Sequence, residues 1–197
     1  MFKEIVKPAI TLFLICAIIT GALAVVNAVT KPIIEESEKE ALRESLSVVL
    51  PGADEYSEAV DHETLISQGY QPGERIKNLY TASTGGEVAG YVVEVVSRGY
   101  GGNIVMLVGI DNSLSITGTA IMSHNETPGL GSKADDDEYM KQYLGEIPET
   151  LYRVVKTEKS QDGDIEALSG ATVTSRAISN GISEAAQLIR NVMKGGE

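Results

Sequence analysis

The sequence predicts an α+β protein: a single N-terminal transmembrane helix, then one domain with an antiparallel meander and flanking helices. Three observations carry this. Pro8 to Thr30 contains no charged side chain, and about 20 apolar residues cross a hydrocarbon core of roughly 30 Å. Residues 76–124 string together strand-like runs and turn signals. An amphipathic helical pattern closes the chain. Strands grouped together with helices beside them indicate α+β. The 197 residues divide into three expected parts. Residues 1–31 form a cytoplasmic stub and membrane anchor, 32–52 a helical stalk, and 53–197 one extracytoplasmic domain.

Lys3, Lys7 and the amino terminus precede the apolar stretch; Lys31 follows it, then Glu35, Glu36, Glu38 and Glu40. Basic residues set orientation, which puts the amino terminus in the cytoplasm and the domain outside. Val26-Asn27-Ala28 faintly matches a small-x-small cleavage site. Val26 fits it badly and the apolar run is long for a signal, so an anchor retained in the inner or cytoplasmic membrane is expected. Cys16 lies mid-span behind Ile15, where a lipoprotein site needs a small residue, and reads as an apolar filler in lipid. Pro32 predicts a kink. Helical spacing resumes from Glu35, with Leu42, Leu46, Val49 and Leu50, until Pro51-Gly52 ends it.

In the meander, Asn78 to Ser83 leads into Thr84-Gly85-Gly86-Glu87, a hairpin signal. Val88 to Ser97 is a valine-rich strand, and Arg98 to Gly102 a glycine-rich loop. Ile104 to Ile110 is almost wholly apolar, as a strand covered on both faces would be. After the turn Asp111-Asn112-Ser113, the residues Leu114, Ile116, Gly118, Ala120 and Met122 alternate with Ser115, Thr117, Thr119, Ile121 and Ser123, which predicts a half-buried strand. Ala134 to Leu144 reads as a short acidic helix, Tyr152 to Thr157 as a strand, and Gln161 to Asp164 as a turn. The last helix is expected from Ser175 to Lys194. Ile178, Ile182, Ala185, Ala186, Ile189, Val192 and Met193 form its apolar stripe, and Gly195 its cap.

Charge narrows the function. Residues 1–31 hold only Lys3, Lys7, Lys31 and Glu4, so of 16 basic and 28 acidic residues in the chain, 13 and 27 belong to the remainder, a net charge of −14. That excludes nucleic acid as a partner and opposes docking on anionic lipid. The domain holds no cysteine, so no disulfide framework exists, and two histidines in the chain do not make a multi-histidine metal site. Asp135-Asp136-Asp137-Glu138 lacks the alternate-position pattern of a calcium loop.

Two segments carry chemistry. Ser169-Gly170-Ala171-Thr172-Val173-Thr174-Ser175 runs into the final helix. The first N–H groups of a helix lack partners and carry partial positive charge, which stabilises a phosphate without any lysine. Gly170 and Ala171 let backbone approach a bulky ligand. Ser169, Thr174 and Ser175 offer hydroxyl donors, and the Thr172 hydroxyl can form a phosphoester. Spacing alone favours an ordinary cap at Thr174 or Ser175, and both readings hold together. The second segment is His124-Asn125-Glu126-Thr127-Pro128-Gly129-Leu130-Gly131. His124 and Glu126 could bond a heterocycle or act as an acid/base pair, with the glycines letting a ring lie on backbone; a structural loop with a satisfied histidine is the other reading.

The two segments in this order, with one amino-terminal span, Tyr100-Gly101-Gly102 and Val49-Leu50-Pro51-Gly52, resemble the FMN-binding subunits of membrane redox complexes. The resemblance is to the RnfG family, the G subunits of Rnf complexes, to which NqrC of the sodium-pumping NADH:quinone reductase is related. It covers nearly the whole chain. It implies FMN joined through its phosphate to Thr172, with Thr174 as the second candidate, attached by a separate flavin transferase. It implies a flavin environment that includes His124, Glu126, Thr127, Gly129 and Leu130. It also implies electron transfer, with other subunits as partners, in a ferredoxin:NAD⁺ oxidoreductase coupled to Na⁺ or H⁺ movement. The family usually has an aspartate six residues before the acceptor; here Glu166 stands there, and Asp164 is out of register. The alternatives are an NqrC-like subunit and a flavin-free, membrane-anchored binding or assembly module.

Overall fold

The structure, a computed structural model, describes residues 2–156 and 158–195. The chain divides into two compact units, Met1–Arg43 and Glu44–Glu197. Helix α1 (Phe2–Val49) fills the described part of the first unit and supplies the opening turns of the second. Side chains from Ala9 to Ile34 are exposed, and the stretch is long and apolar enough to cross a membrane. The kink expected at Pro32 does not divide the helix, which runs on through it. The missing N–H removes one bond, to Ala28, and the ladder resumes on either side. The unit boundary therefore lies inside the expected stalk, at Arg43/Glu44.

In the second unit the strands are β1 (Glu55–Tyr56), β2 (Val60–Asp61), β3 (Ile76–Thr84), β4 (Glu87–Arg98), β5 (Asn103–Asp111), β6 (Ser115–Ser123) and β7 (Gly145–Glu146), with helix α2 (His62–Ser67) between β2 and β3. They form one antiparallel sheet in the order β1-β3-β4-β5-β6-β7, with β2 also on β3. The β3–β4 hairpin turns as expected, with Gly85 and Gly86 both at positive φ. Helix α4 (Thr172–Lys194) covers the front of the sheet. Its Ile178, Ile182, Ala185, Ala186 and Ile189 share one buried core with Val93, Val95, Met106, Val108 and Ile110.

The back face is built on glycine. Gly90 in β4, Gly109 in β5 and Gly118 in β6 lie under the end of α1. A Cβ on Gly109 or Gly118 would overlap the backbone of Val49, and one on Gly90 would press on Leu50. The Thr117 hydroxyl donates to the Val49 carbonyl at 2.6 Å, and the Tyr56 hydroxyl to Leu50 at 2.9 Å. Leu46, Val49 and Leu50 are buried. Pairing shows why the alternation predicted for β6 fails. Ile110 faces Ile116 but Gly109 faces Gly118, so Thr117 is an extra residue. This bulge reverses the faces. Gly118 and Ala120 turn to the back, while Ile121 joins the front core and Met122 is exposed.

The predicted acidic helix is three short pieces instead: a 3₁₀ turn at Gly131–Asp135, α3 (Asp137–Met140) and a 3₁₀ turn at Lys141–Tyr143. Asp136 is extended, with φ −72° and ψ 128°, and breaks the run. Strand β8 (Arg153–Val155) is shorter than expected, and the predicted end at Thr157 lies outside the described residues. It pairs in parallel with β9 (Asp164–Glu166), whose first residue was expected to close a turn. Asp164 clips the connection. Arg153 donates to it from Nε at 2.9 Å, and the Ser160 and Gln161 N–H groups at 2.9 and 3.1 Å. The Arg153 guanidinium, with these N–H groups, holds the carboxyl well below the usual carboxylate range.

Candidate functional site

Four stretches distant in sequence wall one cavity of about 920 Å³: the β4–β5 loop, the loop after β6, Lys156 beyond β8, and Glu166 to Thr174 from β9 into α4. The two chemistry-bearing segments thus meet in space. The volume lies toward the top of the range of ligand clefts, roughly 300–1,000 Å³.

Glu126 joins the walls. The residue is 6 % exposed. Oε1 accepts the Gly101 N–H at 2.9 Å, and Oε2 accepts the Thr174 hydroxyl at 2.6 Å. Charge-assisted bonds of this kind offset the burial of a charge. Glycine makes the room: a Cβ on Gly99 or Gly131 would overlap the carboxylate, and one on Gly101 the Asn125 carbonyl. The loop closes on itself through Gly99 N–H to the Gly102 carbonyl at 2.8 Å.

His124 does not form a side-chain pair with Glu126. Its Nδ1 accepts the Glu126 backbone N–H at 3.2 Å, which leaves the ring proton on Nε2. The half-buried ring is not part of the cavity wall. Gly129 is the apex of the turn, at φ +75°, and is also off the wall. Thr127 and Leu130 do line it, Leu130 with 44 % of its surface exposed.

The helix start differs from the expected cap. α4 begins three residues earlier than predicted, at Thr172, with Ala171 as its N-cap and no side-chain cap bond. Thr174 and Ser175 are inside the helix and buried. The Thr174 hydroxyl is committed to Glu126. Ser175 Oγ donates to the Ala171 carbonyl at 3.1 Å and accepts the Leu168 N–H at 3.0 Å, and Ser175 is off the wall. The partner of Thr174 lies 48 residues away, beyond what local spacing reads. Gly170, at φ +76°, turns the backbone into the helix, and a Cβ there would meet Leu130 at 3.1 Å. Ser169 and Gly170 are exposed and line the cavity with Ala171 and Thr172. Thr172 is half-buried, and its hydroxyl has no hydrogen-bond partner among the described residues. The N–H groups of Thr172, Val173 and Thr174 belong to the first turn, where no intrahelical acceptor exists. No acidic residue competes with an anion in that turn.

Sequence reasoning gave no site role to Tyr100, Lys156, Ala167, Leu168 or Val173, yet all line the cavity. Tyr100, 75 % exposed between glycines, had a local signal. Lys156, the one basic side chain on the wall among the described residues, had none. The arrangement suits a ligand with a phosphate and a heteroaromatic ring: backbone N–H groups and Lys156 for the phosphate, Tyr100, Leu130 and Leu168 for ring contact, and a free hydroxyl at Thr172. FMN fits this donor set.

Two family models match the chain: an FMN-binding domain over residues 99–187, which contains the whole cavity, and the RnfG N-terminal region over residues 1–49. The G subunit of the Na⁺-translocating ferredoxin:NAD⁺ oxidoreductase complex of Acetobacterium woodii is 35 % identical, over 98 % of this chain and 95 % of its own length. The G subunit of the proton-translocating counterpart from Clostridium ljungdahlii is 31 % identical, over 88 % and 85 %. Among solved structures, the C subunit of the Na⁺-translocating NADH-quinone reductase of Parabacteroides distasonis shares the fold, with a TM-score of 0.58 at 17 % identity, over 81 % of this chain and 96 % of that one.

Proposed function

We propose, from the premise that this chain belongs to the family of G subunits of ion-translocating oxidoreductase complexes, that it is a membrane-anchored electron carrier with FMN held covalently on Thr172. The complex is of the ferredoxin:NAD⁺ type, its electron flow coupled to ion translocation, and the other subunits are the partners. α1 is the anchor and the domain lies on the extracytoplasmic side, as Lys3 and Lys7 ahead of the span indicate. A separate flavin transferase makes the phosphoester. The observation that carries this reading is the uncommitted Thr172 hydroxyl, placed at an uncapped helix start inside the cavity.

Bound there, FMN supplies electron transfer at potentials that free amino-acid side chains do not reach. The chain's own residues do the rest. The α4 N–H groups and Lys156 hold the phosphate. Glu126 fixes the glycine loop against α4, so the distance between Tyr100 and Thr172 is set by bonds rather than by loop mobility. Between the two candidate acceptors, burial favours Thr172: Thr174 is 1 % exposed and its proton is engaged. Tethering keeps the cofactor from being lost to the outside volume.

The test is flavin fluorescence in the denatured, washed protein after expression with a flavin transferase. Wild type is expected to fluoresce, and Thr172→Val to lose the signal completely. A colourless wild type would favour the flavin-free module, and a fluorescent Thr172→Val would move the acceptor elsewhere.

A further inference from the structure

A second concavity of about 430 Å³ adjoins the first; Val173 lines both. Arg75, Arg98, Arg176, Asn103, Asn180 and Glu74 are among its walls. The domain has five arginines, and three are engaged. Arg75 pairs with Glu184, Arg153 with Asp164, and Arg190 donates to the Ile147 and Pro148 carbonyls at 3.0 Å. Arg98, at the end of β4, and Arg176, in the second turn of α4, are exposed, with no ion pair or hydrogen bond among the described residues. These two open onto the same cleft.

Their placement runs against local electrostatics. The start of a helix favours acids and disfavours cations, yet α4 has no acid in its first turn and carries Arg176 just beyond it. The chain as a whole has 28 acidic and 16 basic residues. A free guanidinium pair beside one helix start, in so acidic a protein, is a local reversal of sign. Val173, 51 % exposed, lines this cleft and the adjoining cavity, and Tyr100, 75 % exposed and two residues after Arg98, lines that cavity. Exposed arginine and aromatic side chains around a concavity are the composition of a protein interface. Guanidinium groups match carboxylates in a bidentate fork.

We propose that the cleft of Arg98 and Arg176, with the apolar shoulder of Tyr100 and Val173, docks an acidic surface of another subunit of the complex, and so brings that subunit against the mouth of the cavity. This rests on the reading that the cavity holds the flavin. Glu74, the one carboxylate on the cleft wall among the described residues, limits the attraction and favours a partner with more than one acidic side chain. The rest of the acidic domain repels the same partner, so contact at this cleft fixes orientation.

The test uses the assembled complex, purified through a tag on another subunit. In Arg98→Glu/Arg176→Glu, retention of this chain after a low-salt wash is expected to fall about tenfold, because attraction becomes like-charge repulsion. Lys141→Glu, an exposed charge away from the cleft, is expected to leave retention unchanged. Fluorescence of covalent flavin in the same samples reports folding and loading separately. In a second variant, Arg98→Lys/Arg176→Lys, a zero-length carbodiimide reagent joins an amine to a carboxylate. A cross-link from position 98 or 176 to an acidic residue of another subunit is expected. Unchanged retention in the charge-reversed variant, or cross-links only to this chain's own carboxylates, overturns the docking face. Binding of inorganic phosphate at the cleft without a cross-link to another subunit makes it a small-anion site and also overturns it. A wild type without flavin would instead fail the reading of the cavity.

Discussion

Two clusters of glycine occupy opposite sides of this domain and do opposite work. On the back face, Gly109 and Gly118 leave out side chains so that the end of α1 can rest backbone to backbone on the sheet, and Gly90 leaves room for the Leu50 side chain and the Ile110 carbonyl. At the site, Gly99, Gly101 and Gly131 leave out side chains so that a buried carboxylate fits between loops. The first arrangement depends on shape. The second depends on charge, because Glu126 has to be offered N–H and hydroxyl donors once water is gone. A glycine pattern in a sequence therefore gives no clue to its use until its neighbours in space are known.

Substitutions can separate the two. The largest effect is expected on the back face. Gly118→Ala drives a methyl group into the Val49 backbone, which cannot swing aside, and should cost about 3 kcal/mol. Urea midpoints measure it, and covalent flavin content per folded molecule should be unchanged. A matching loss of flavin would mean that the two clusters are coupled. A smaller effect belongs to the site. Glu126→Gln keeps the shape and removes the charge, at a cost of about 2 kcal/mol. Here flavin content should fall as well, because the charge-assisted tie between the helix start and the glycine loop is weakened. Stability lost with full loading would assign Glu126 to the fold alone.

The smallest effect concerns Asp164, at the start of the β9 strand that leads into the cavity wall. Arg153 lowers its folded pKa below the unfolded value of about 3.9. The stabilisation is thus fully present above that value and is lost as pH falls through the folded pKa. Thermal midpoints should drop from about pH 4 downward in wild type, and Asp164→Asn should show a flatter acid limb. The same acid slope in both would remove Asp164 as a source of charge-dependent stability on the front side.

What the sequence revealed depended on range. The α4 stripe from Ile178 to Ile189 and the Gly85-Gly86 turn were legible because each is a pattern of near neighbours. The meander was legible for the same reason, but the face of β6 was not. Its alternation is real in sequence and is undone by one unpaired residue, Thr117, whose hydroxyl is drawn to Val49 68 residues away. β1, β2 and β7 have two residues each, too few to show a period. At the site, the Ser169 to Thr172 stretch was readable as the small-residue entry to the last helix. The fate of Thr174 was not, since its partner Glu126 is 48 residues distant. Lys156 reaches the wall through the β8–β9 crossover, which leaves no mark in local composition.

Helix α4 is both the cover of the sheet's front and the bearer of Thr172. Chains emerge from the ribosome amino end first. Every strand of the large sheet is therefore synthesised before the element that shields Val93, Val95, Met106 and Val108 from water. A ribosome that stalls before α4 releases an uncovered apolar sheet, prone to aggregation, and never a stable domain that lacks Thr172. Quality control of the product is thus written into the order of translation.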